Sequence, residues 1–344
     1  ALSGEDVGRA ARLLDKHVES YILNAEVVRV RRWVERLPEE ARCSLPRLCV
    51  YYAWALEFEF QLDAAEATMA QARPSASFPA SQIAIHADAL RVYAALHSGR
   101  YARAVELARA ALESLPEPDA DKAHPAHGTH PVDREHPTDD LLTVRGTILL
   151  GLGIAALELG QMEAAYEALQ SALPLNQRSG HRYGVLSCLY YMMWIEDARG
   201  ALSQELATGE RGLSWIELWS SAGDLRRPPA RLLAHIRQQM GLVYYERDDL
   251  GRAALYLRQA SEYYELVGSA YRATSYAYLV DLYAALGDLE RARRSLQKLV
   301  RNTLTPGFSL PATPLPAVIA ERSLSLSRCS PELNDLFADA VRWA

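Results

Sequence analysis

A turn pattern that recurs about seven times is the feature of this chain that most constrains its fold. Each copy contains a turn residue, usually Gly or Asp, and a small residue lies five positions after it. An apolar or small residue lies nine positions after the turn, and another residue, usually small, lies twelve positions after it. A further small or apolar residue lies seven positions before the turn. The clearest copy has Ala104, Ala108 and Ala111 after Gly99. The turns lie near residues 25, 60, 99, 160, 200, 248 and 287. The copies at 25 and 200 are weaker, and in the second of them Glu205 stands where Ala is expected.

This spacing predicts stacked helical hairpins. Residues separated by four and then by three positions lie on one stripe of an α-helix. Small side chains on that stripe let an antiparallel helix approach closely, and Gly or Asp permits the sharp reversal between the helices. One hairpin cannot bury its apolar face alone, so consecutive hairpins stack. The sequence therefore predicts an all-α fold, an α-α superhelix of the tetratricopeptide-like (TPR-like) kind. It has about seven hairpins of roughly 39 residues, longer than the standard repeat of about 34.

The repeats also predict how the chain is divided. Residues 1–300 carry them and form one superhelical repeat domain. Residues 116–140, "PEPDADKAHPAHGTHPVDREHPTDD", contain almost no apolar side chain, so they predict an inserted flexible surface loop. Residues 301–344 begin with a proline-rich stretch and predict a linker and two short helices that cap the same domain.

Composition narrows the functional classes. The formal net charge of −6 argues against direct nucleic-acid contact, which needs a basic face. Cys43, Cys49, Cys188 and Cys329 have no metal-binding spacing, so we interpret them as reduced thiols of a cytoplasmic protein. The apolar run at 147–160 is too short for a membrane span, and we expect no membrane contact. The sequence shows no catalytic motif, and we predict neither an enzyme nor a cofactor.

Residues 24–72 resemble the opening of the sensor region in large ATP-dependent LuxR-type transcription regulators of the maltose-activator (MalT-like) class. In that family a "W-x-x-x-L-P" helix end is followed by "P-R-L-x-x-x-x-A-W-A-L" and "Q-L-x-A-A-E". The matching residues here are Trp33, Leu37, Pro38, Pro46, Arg47, Leu48, Ala53, Trp54, Ala55, Leu56, Gln61, Leu62, Ala64, Ala65 and Glu66. Later copies, such as "LGLGIAALELGQMEAAYEAL" and "MGLVYYERDDLGRAALYLRQA", are similar to the family's subsequent repeats, so the resemblance covers roughly residues 1–300.

The resemblance implies a signal-sensing domain. Regulators of this class carry a nucleotide-binding domain before the superhelix and a helix-turn-helix after it. This sequence contains no G-x-x-x-x-G-K-[ST] loop and, after residue 300, no basic recognition helix, so we expect a domain of a larger protein. It is expected to bind a small-molecule inducer or a regulatory protein or peptide. It is also expected to contact the other domains of the full-length regulator, and that full-length protein would oligomerise. The alternative is a stand-alone TPR-like scaffold that binds a partner peptide or protein.

The first helix of each hairpin is expected to line the concave groove. Residues on that face lie six positions, and two to three positions, before each turn. Further residues of the same face lie one helical turn earlier. Aromatic faces among fixed hydrogen-bonding groups suit a sugar or peptide ligand. The candidates are Trp54, Glu57, Tyr93, Tyr190, Trp194, Asp197, Gln238, Tyr245, Tyr278 and Asp281. For each of them, packing between repeats is the alternative.

One cluster has a composition typical of metal sites. It consists of His124, His127, His130 and His136, all within the predicted loop 116–140. The spacing would permit a metal site, but no Cys or fixing scaffold accompanies it. We therefore interpret the cluster as part of a solvated loop and predict no metal, with a metal site as the alternative.

Overall fold

The computed structural model describes residues 7–24, 26–116, 137–221, 230–266, 269 and 271–303. Within these residues every regular element is an α-helix, which confirms the all-α prediction. The helices are α1 (Val7–Leu23), α2 (Val27–Val34), α3 (Glu39–Cys43), α4 (Pro46–Phe58), α5 (Leu62–Gln71), α6 (Ala80–His97), α7 (Tyr101–Ser114), α8 (Pro137–Glu158), α9 (Met162–Ser179), α10 (Arg182–Ala198), α11 (Leu202–Ser221), α12 (Ala230–Glu246), α13 (Leu250–Leu266), α14 (Arg272–Ala285) and α15 (Leu289–Thr303). Their contacts divide the chain into two compact units, Ala1–Ile195 (unit 1) and Glu196–Ala344 (unit 2).

The predicted turns are confirmed at single-residue accuracy wherever the structure describes them. A left-handed backbone occurs at Phe60, Gly99, Gly160, Gly200, Asp248 and Gly287, with φ between 58° and 74°. At Gly99 the amide groups of Gly99 and Arg100 donate to the carbonyl groups of Leu96 and Ala95, over 3.0 and 2.9 Å. This pair of bonds is a Schellman motif, which satisfies the last carbonyl groups of a helix while the chain reverses. The predicted turn near Ala25 lies outside the described residues.

The repeat pattern missed one turn, at Gly180, where φ is 67°. Its amide hydrogen bonds follow the same arrangement, with His181 donating to Asn176 over 2.9 Å. The small residues that mark the other repeats do not follow it, so the pattern gave no signal there.

The stripe that follows each turn is buried. The small residue five positions on is Ala65, Ala104, Ala165, Ala253 or Ala292, and each is at most 1% exposed. Glu205, the exception in sequence, is buried as well. The small residues thus lie where the second helix of each hairpin meets the first.

The two helices of a hairpin approach most closely where the residue seven before the turn faces the residue nine after it. A methyl group added at Gly153 would lie 2.7 Å from Cγ of Leu169, and one added at Gly241 would lie 2.7 Å from Cγ of Leu257. Each glycine therefore leaves the space that the opposite leucine fills. In another hairpin the sizes are reversed, because Val92 precedes the turn and Ala108 follows it.

In unit 1, α4 pairs with α5, α6 with α7, and α8 with α9, and each pair packs on the next. The N-terminal helices α1 and α2 pack on α4 and extend the same core. In unit 2, α12 pairs with α13 and α14 with α15, around a core that includes Leu257, Val280 and Leu296.

Helix α8 is long and apolar enough to cross a membrane by composition alone. Its segment Asp140–Glu158 has a mean hydropathy of 1.6, and 56% of it is buried. Since α8 packs against α6, α7 and α9, burial among these helices accounts for the apolar run.

The boundaries of the predicted insertion change at one end. Helix α8 begins at Pro137, so residues 137–140 of the predicted loop are helical. Proline is compatible with the first position of a helix, because its missing N–H would have no partner there. Residues 117–136 and the predicted C-terminal capping segment after residue 303 lie outside the described residues.

The turn glycines have open space around them, so these positions require glycine only for its backbone conformation. No atom lies within 4 Å of a Cβ added at Gly287, yet φ there is 70°. We expect Gly287→Ala to lower the free energy of unfolding by about 1 kcal/mol. The matched control is Gly251→Ala, whose added Cβ lies inside α13 at ordinary φ and 3.7 Å from Oδ1 of Asp249, an ordinary contact. This change should raise that energy by about 0.5 kcal/mol. Urea unfolding measures both, and equal effects of the same sign would contradict the account.

Candidate functional site

Two of the predicted groove residues form a contact inside unit 1. Trp54 and Tyr93 lie six residues before the turns at Phe60 and Gly99, so the repeat places them at equivalent positions on α4 and α6. Their rings meet edge to face, with centroids 5.6 Å apart, and both side chains are buried. The register of the repeat therefore brings these two aromatics together.

Glu57 is the charged member of the same group. It lies three residues before the turn at Phe60, and it is 0% exposed. Its Oε1 lies 2.5 Å from Nδ1 of His97 on α6. The ring of His97 in turn contacts the ring of Phe60, with centroids 4.7 Å apart. The second carboxylate oxygen of Glu57, Oε2, is buried without a hydrogen-bond partner.

The first turn of α10 closes over these residues. Tyr183 meets Phe58 edge to face, with ring centroids 5.5 Å apart. Beside it, Nη1 of Arg182 donates a hydrogen bond to Oδ1 of Asn24, at the end of α1, over 3.1 Å. Residues that are distant in sequence thus meet in unit 1, a contact that the repeat pattern did not predict.

The pKa of Tyr93 reflects its burial and these neighbours. Burial raises the pKa of Tyr93 well above its ordinary value, and Glu57, Tyr183 and Tyr191 act in the same direction. A negative charge on the Tyr93 hydroxyl would be unfavourable beside a carboxylate, which is why the pKa rises. We call the following residues the inner cluster: Trp54, Glu57, Phe58, Tyr93 and Tyr183.

Trp54 is anchored from behind by a buried polar chain. Its indole N–H donates to Nδ1 of His86 over 3.1 Å, and Nε2 of His86 lies 3.0 Å from Oδ1 of Asp140. Tyr51 also donates to Oδ1 of Asp140, over 3.1 Å. Burial alone would raise the pKa of Asp140, but His86, Tyr51 and Arg47 stabilise its carboxylate more, so the pKa is lowered. No sequence pattern marks this chain of hydrogen bonds, because its members are far apart in sequence and follow no motif.

The remaining predicted residues of unit 1 lie on α10. Tyr190 is buried, with its ring 6.1 Å from that of Trp194 and 5.0 Å from that of Tyr191. Trp194 is 48% exposed. Part of the Trp194 side chain is therefore open to solvent, whereas Trp54 and Tyr93 are covered.

The predicted residues of unit 2 differ in exposure. Gln238 is buried, and its side-chain oxygen has no hydrogen-bond partner. Tyr245, Tyr278 and Asp281 are half-buried. Asp197 is exposed as a residue, but partial burial of its carboxyl group raises its pKa. These five residues lie on α10, α12 and α14, and their place in a binding groove stays a prediction.

The site residues predicted from the sequence did not include a buried acidic pair in unit 2. Glu196 and Glu205 lie on either side of the turn at Gly200, and each is 1% exposed. Thr208 donates to Oε1 of Glu196 over 3.1 Å, while Oε2 of Glu205 has no partner. Burial, then the charges of Asp197 and Glu196, raises the pKa of Glu205 to about 8. The signal was visible in sequence, because Glu205 occupies the position that is Ala in the strong repeats.

Two histidines are buried in polar contacts within the core. His181 has its pKa lowered to about 4 by burial, and its Nδ1 lies 3.1 Å from Oδ1 of Asn176. Burial, then the charge of Arg231, lowers the pKa of His235 to about 3, and its Nδ1 is 2.7 Å from the hydroxyl of Tyr264. Such neutral, bonded rings serve packing rather than proton transfer near neutral pH.

Within the described residues, no group of three His, Cys, Asp or Glu side chains is arranged to hold a metal ion. The candidate histidines at 124, 127, 130 and 136 lie outside the described residues.

Stacked hairpins with left-handed turns and small residues between the helices define a TPR-like helical-repeat protein. The chain belongs to the family of MalT-like TPR regions, whose family model matches residues 135–328. No curated protein gives a match to the chain.

Solved structures share the fold at low sequence identity. One is a signal transduction ATPase with numerous domains (STAND) that has a tetratricopeptide repeat sensor, from Pyrococcus horikoshii. The TM-score is 0.61 with 12% identity, and the match covers 95% of this chain and 46% of that one. The apo form of RapI gives a TM-score of 0.56 with 11% identity, covering 98% and 86%. A Rap protein complexed with Competence and Sporulation Factor gives 0.54 with 12% identity, covering 98% and 91%.

The raised pKa of Glu205 predicts a pH-dependent stability. Because the folded state holds this proton more tightly than the unfolded state, the free energy of unfolding should fall as the pH rises from about 5 to about 8. Glu205→Gln removes the ionisation, so it should stabilise the protein increasingly over this range. After allowance for solvent screening we expect about 1 kcal/mol at the alkaline end.

Urea unfolding at each pH measures this difference. Glu217→Gln is the control, since Glu217 is an exposed carboxylate on the same helix and its loss should have little pH-dependent effect. A difference between Glu205→Gln and wild type that stays constant with pH would contradict the prediction.

Proposed function

We propose that this chain is the signal-sensing domain of a LuxR-type, MalT-like transcription regulator. It binds a small-molecule inducer or a regulatory protein or peptide, and it thereby controls ATPase and DNA-binding domains encoded outside these residues. The observation that carries the proposal is the membership of the MalT-like TPR region family. In this role the chain is a cytoplasmic binding domain without catalytic activity of its own and without direct contact with nucleic acid or membrane.

The similarity to the Pyrococcus horikoshii protein supports this placement. Its description combines a signal transduction ATPase with a tetratricopeptide repeat sensor, and the present chain covers 46% of it. A sensor that occupies about half of a larger ATPase has the arrangement that we propose for this chain.

The inner cluster and Trp194 supply the recognition chemistry. Aromatic faces beside a buried carboxylate bind ligands through stacking and fixed charge. A ligand can shift the regulator between resting and oligomerising states only through its differential affinity for the two states. Tyr183 and Arg182 on α10 hold Phe58 and Asn24 at the other end of unit 1, so a ligand that separates these contacts would change the shape of the unit.

A stand-alone scaffold that binds a peptide or protein is the second candidate. It is favoured by the Rap structures, which match over nearly their whole length, and one of which is complexed with Competence and Sporulation Factor. In that case the chain would need no ATPase or DNA-binding domain.

The two candidates make opposite predictions about the gene. For a sensor domain, the open reading frame continues on both sides of these residues. We expect it to encode a G-x-x-x-x-G-K-[ST] phosphate loop upstream and a helix-turn-helix downstream. Sequencing the genomic locus provides the measurement. A start codon and a stop codon that bound the chain directly would instead support the scaffold.

A further inference from the structure

The carboxylate of Glu57 lacks half of the partners that a buried charge requires. Its Oε1 is bonded to His97, whereas Oε2 is buried with no hydrogen-bond partner. The ion-pair partner of this carboxylate is His97. A buried acceptor without a partner costs about 1–3 kcal/mol, and more when it is charged. A site that retains such an oxygen in its folded state is suited to a positively charged partner.

The surroundings of Glu57 are aromatic. Phe58 follows it on α4, and the ring of Tyr93 lies close enough for the Glu57 charge to raise the Tyr93 pKa. Trp54 contacts both rings, with centroids 6.4 Å from Phe58 and 5.6 Å from Tyr93. The faces of aromatic rings carry partial negative charge and attract organic cations. Carboxylate and rings thus favour the same kind of ligand.

Tyr183 forms the side of the inner cluster nearest to solvent. Its ring meets Phe58, and both side chains are half-buried, while Trp54, Glu57 and Tyr93 behind them are buried. A ligand would reach Glu57 past this half-buried ring, through rotation of the Tyr183 side chain. Side-chain motion of this kind is a common adjustment on binding.

We propose that the inner cluster of unit 1 binds the ammonium group of an organic cation. Oε2 of Glu57 neutralises the charge, and Phe58, Tyr93 and Tyr183 contact the carbon atoms attached to nitrogen. A divalent metal ion would need more oxygen ligands than Glu57 supplies, and a sugar would need several fixed hydrogen-bonding groups at one place. The inference rests on the proposed function in that it names the chemistry of a ligand for this face. A small amine and a lysine side chain of a peptide share that chemistry.

Isothermal titration calorimetry measures the affinity of the purified chain for three probes and thereby tests the proposal. Choline chloride represents a small ammonium ion, dimethylbutanol is its neutral isostere, and N-acetyl-lysine methylamide represents a peptide side chain. Sodium chloride controls for ionic strength. We expect at least one of the two cations to bind about tenfold more tightly than dimethylbutanol. The stronger cation identifies the source of the ligand. Equal affinities for all three probes, or no binding of either cation, would overturn the proposal.

Variants locate the site. Glu57→Gln keeps the shape of the side chain and removes its charge, so the affinity for the cation should fall about tenfold. Glu59 follows directly after α4, and its carboxylate pairs with Arg31 on α2. Glu59→Gln should therefore leave the affinity unchanged. Should Glu57→Gln not fold, as judged by circular dichroism, Tyr183→Leu removes a half-buried ring of the cluster and should weaken binding similarly. Wild-type affinity in either folded variant would show that the site lies elsewhere.

The result separates this inference from the proposed function. Failure of both cations, together with a phosphate loop and a helix-turn-helix in the flanking gene, would leave the sensor role intact and remove only the ligand chemistry. Cation binding by a chain whose gene has no such flanks would retain the site and remove the regulator.

Discussion

The close approach of the two helices in each hairpin is the constraint on which the other features of the structure depend. Gly153 and Gly241 leave the space that Leu169 and Leu257 fill, and the left-handed turn between the helices fixes their register. Once the register is fixed, residues at a given distance before each turn lie on one face of the first helix. The hairpin thus determines both the core and the face that is available to a ligand.

That face contains polar groups that are buried among apolar and aromatic side chains. In the Trp54–His86–Asp140 chain, Oδ1 of Asp140 is bonded to both His86 and Tyr51, so the chain orients the indole, although Oδ2 of Asp140 is buried without a partner. Oε2 of Glu57 also has no partner, and Glu57 belongs to the inner cluster, whose members Phe58 and Tyr183 are half-buried. Polar groups left without partners in otherwise well-packed repeats are typical of sites that trade stability for binding. The half-buried rings beside Glu57 are why we place recognition at the inner cluster.

The sequence predicted the scaffold more fully than the site. Turn spacing located Phe60 and Asp248 as reversals although neither is Gly, because the burial pattern around them repeats regardless of the turn residue. The same spacing placed Trp54 and Tyr93 on one face, but it could not show that both are covered. Coverage depends on Tyr183, which meets Phe58 through folding of the whole unit, and on His86, which no local pattern links to Trp54.

The most direct test of the central claim is a double-mutant cycle across one hairpin, Gly241→Ala with Leu257→Ala, measured by urea unfolding. Gly241→Ala forces a methyl group against Leu257 and should cost about 1–3 kcal/mol, while Leu257→Ala leaves a cavity and should cost about 2–5 kcal/mol. If the two residues share one space, the added methyl group fills part of the cavity, and the double variant loses at least about 1 kcal/mol less than the sum of the single losses. Losses that add within about 0.5 kcal/mol would show that the helices are not held together at this contact.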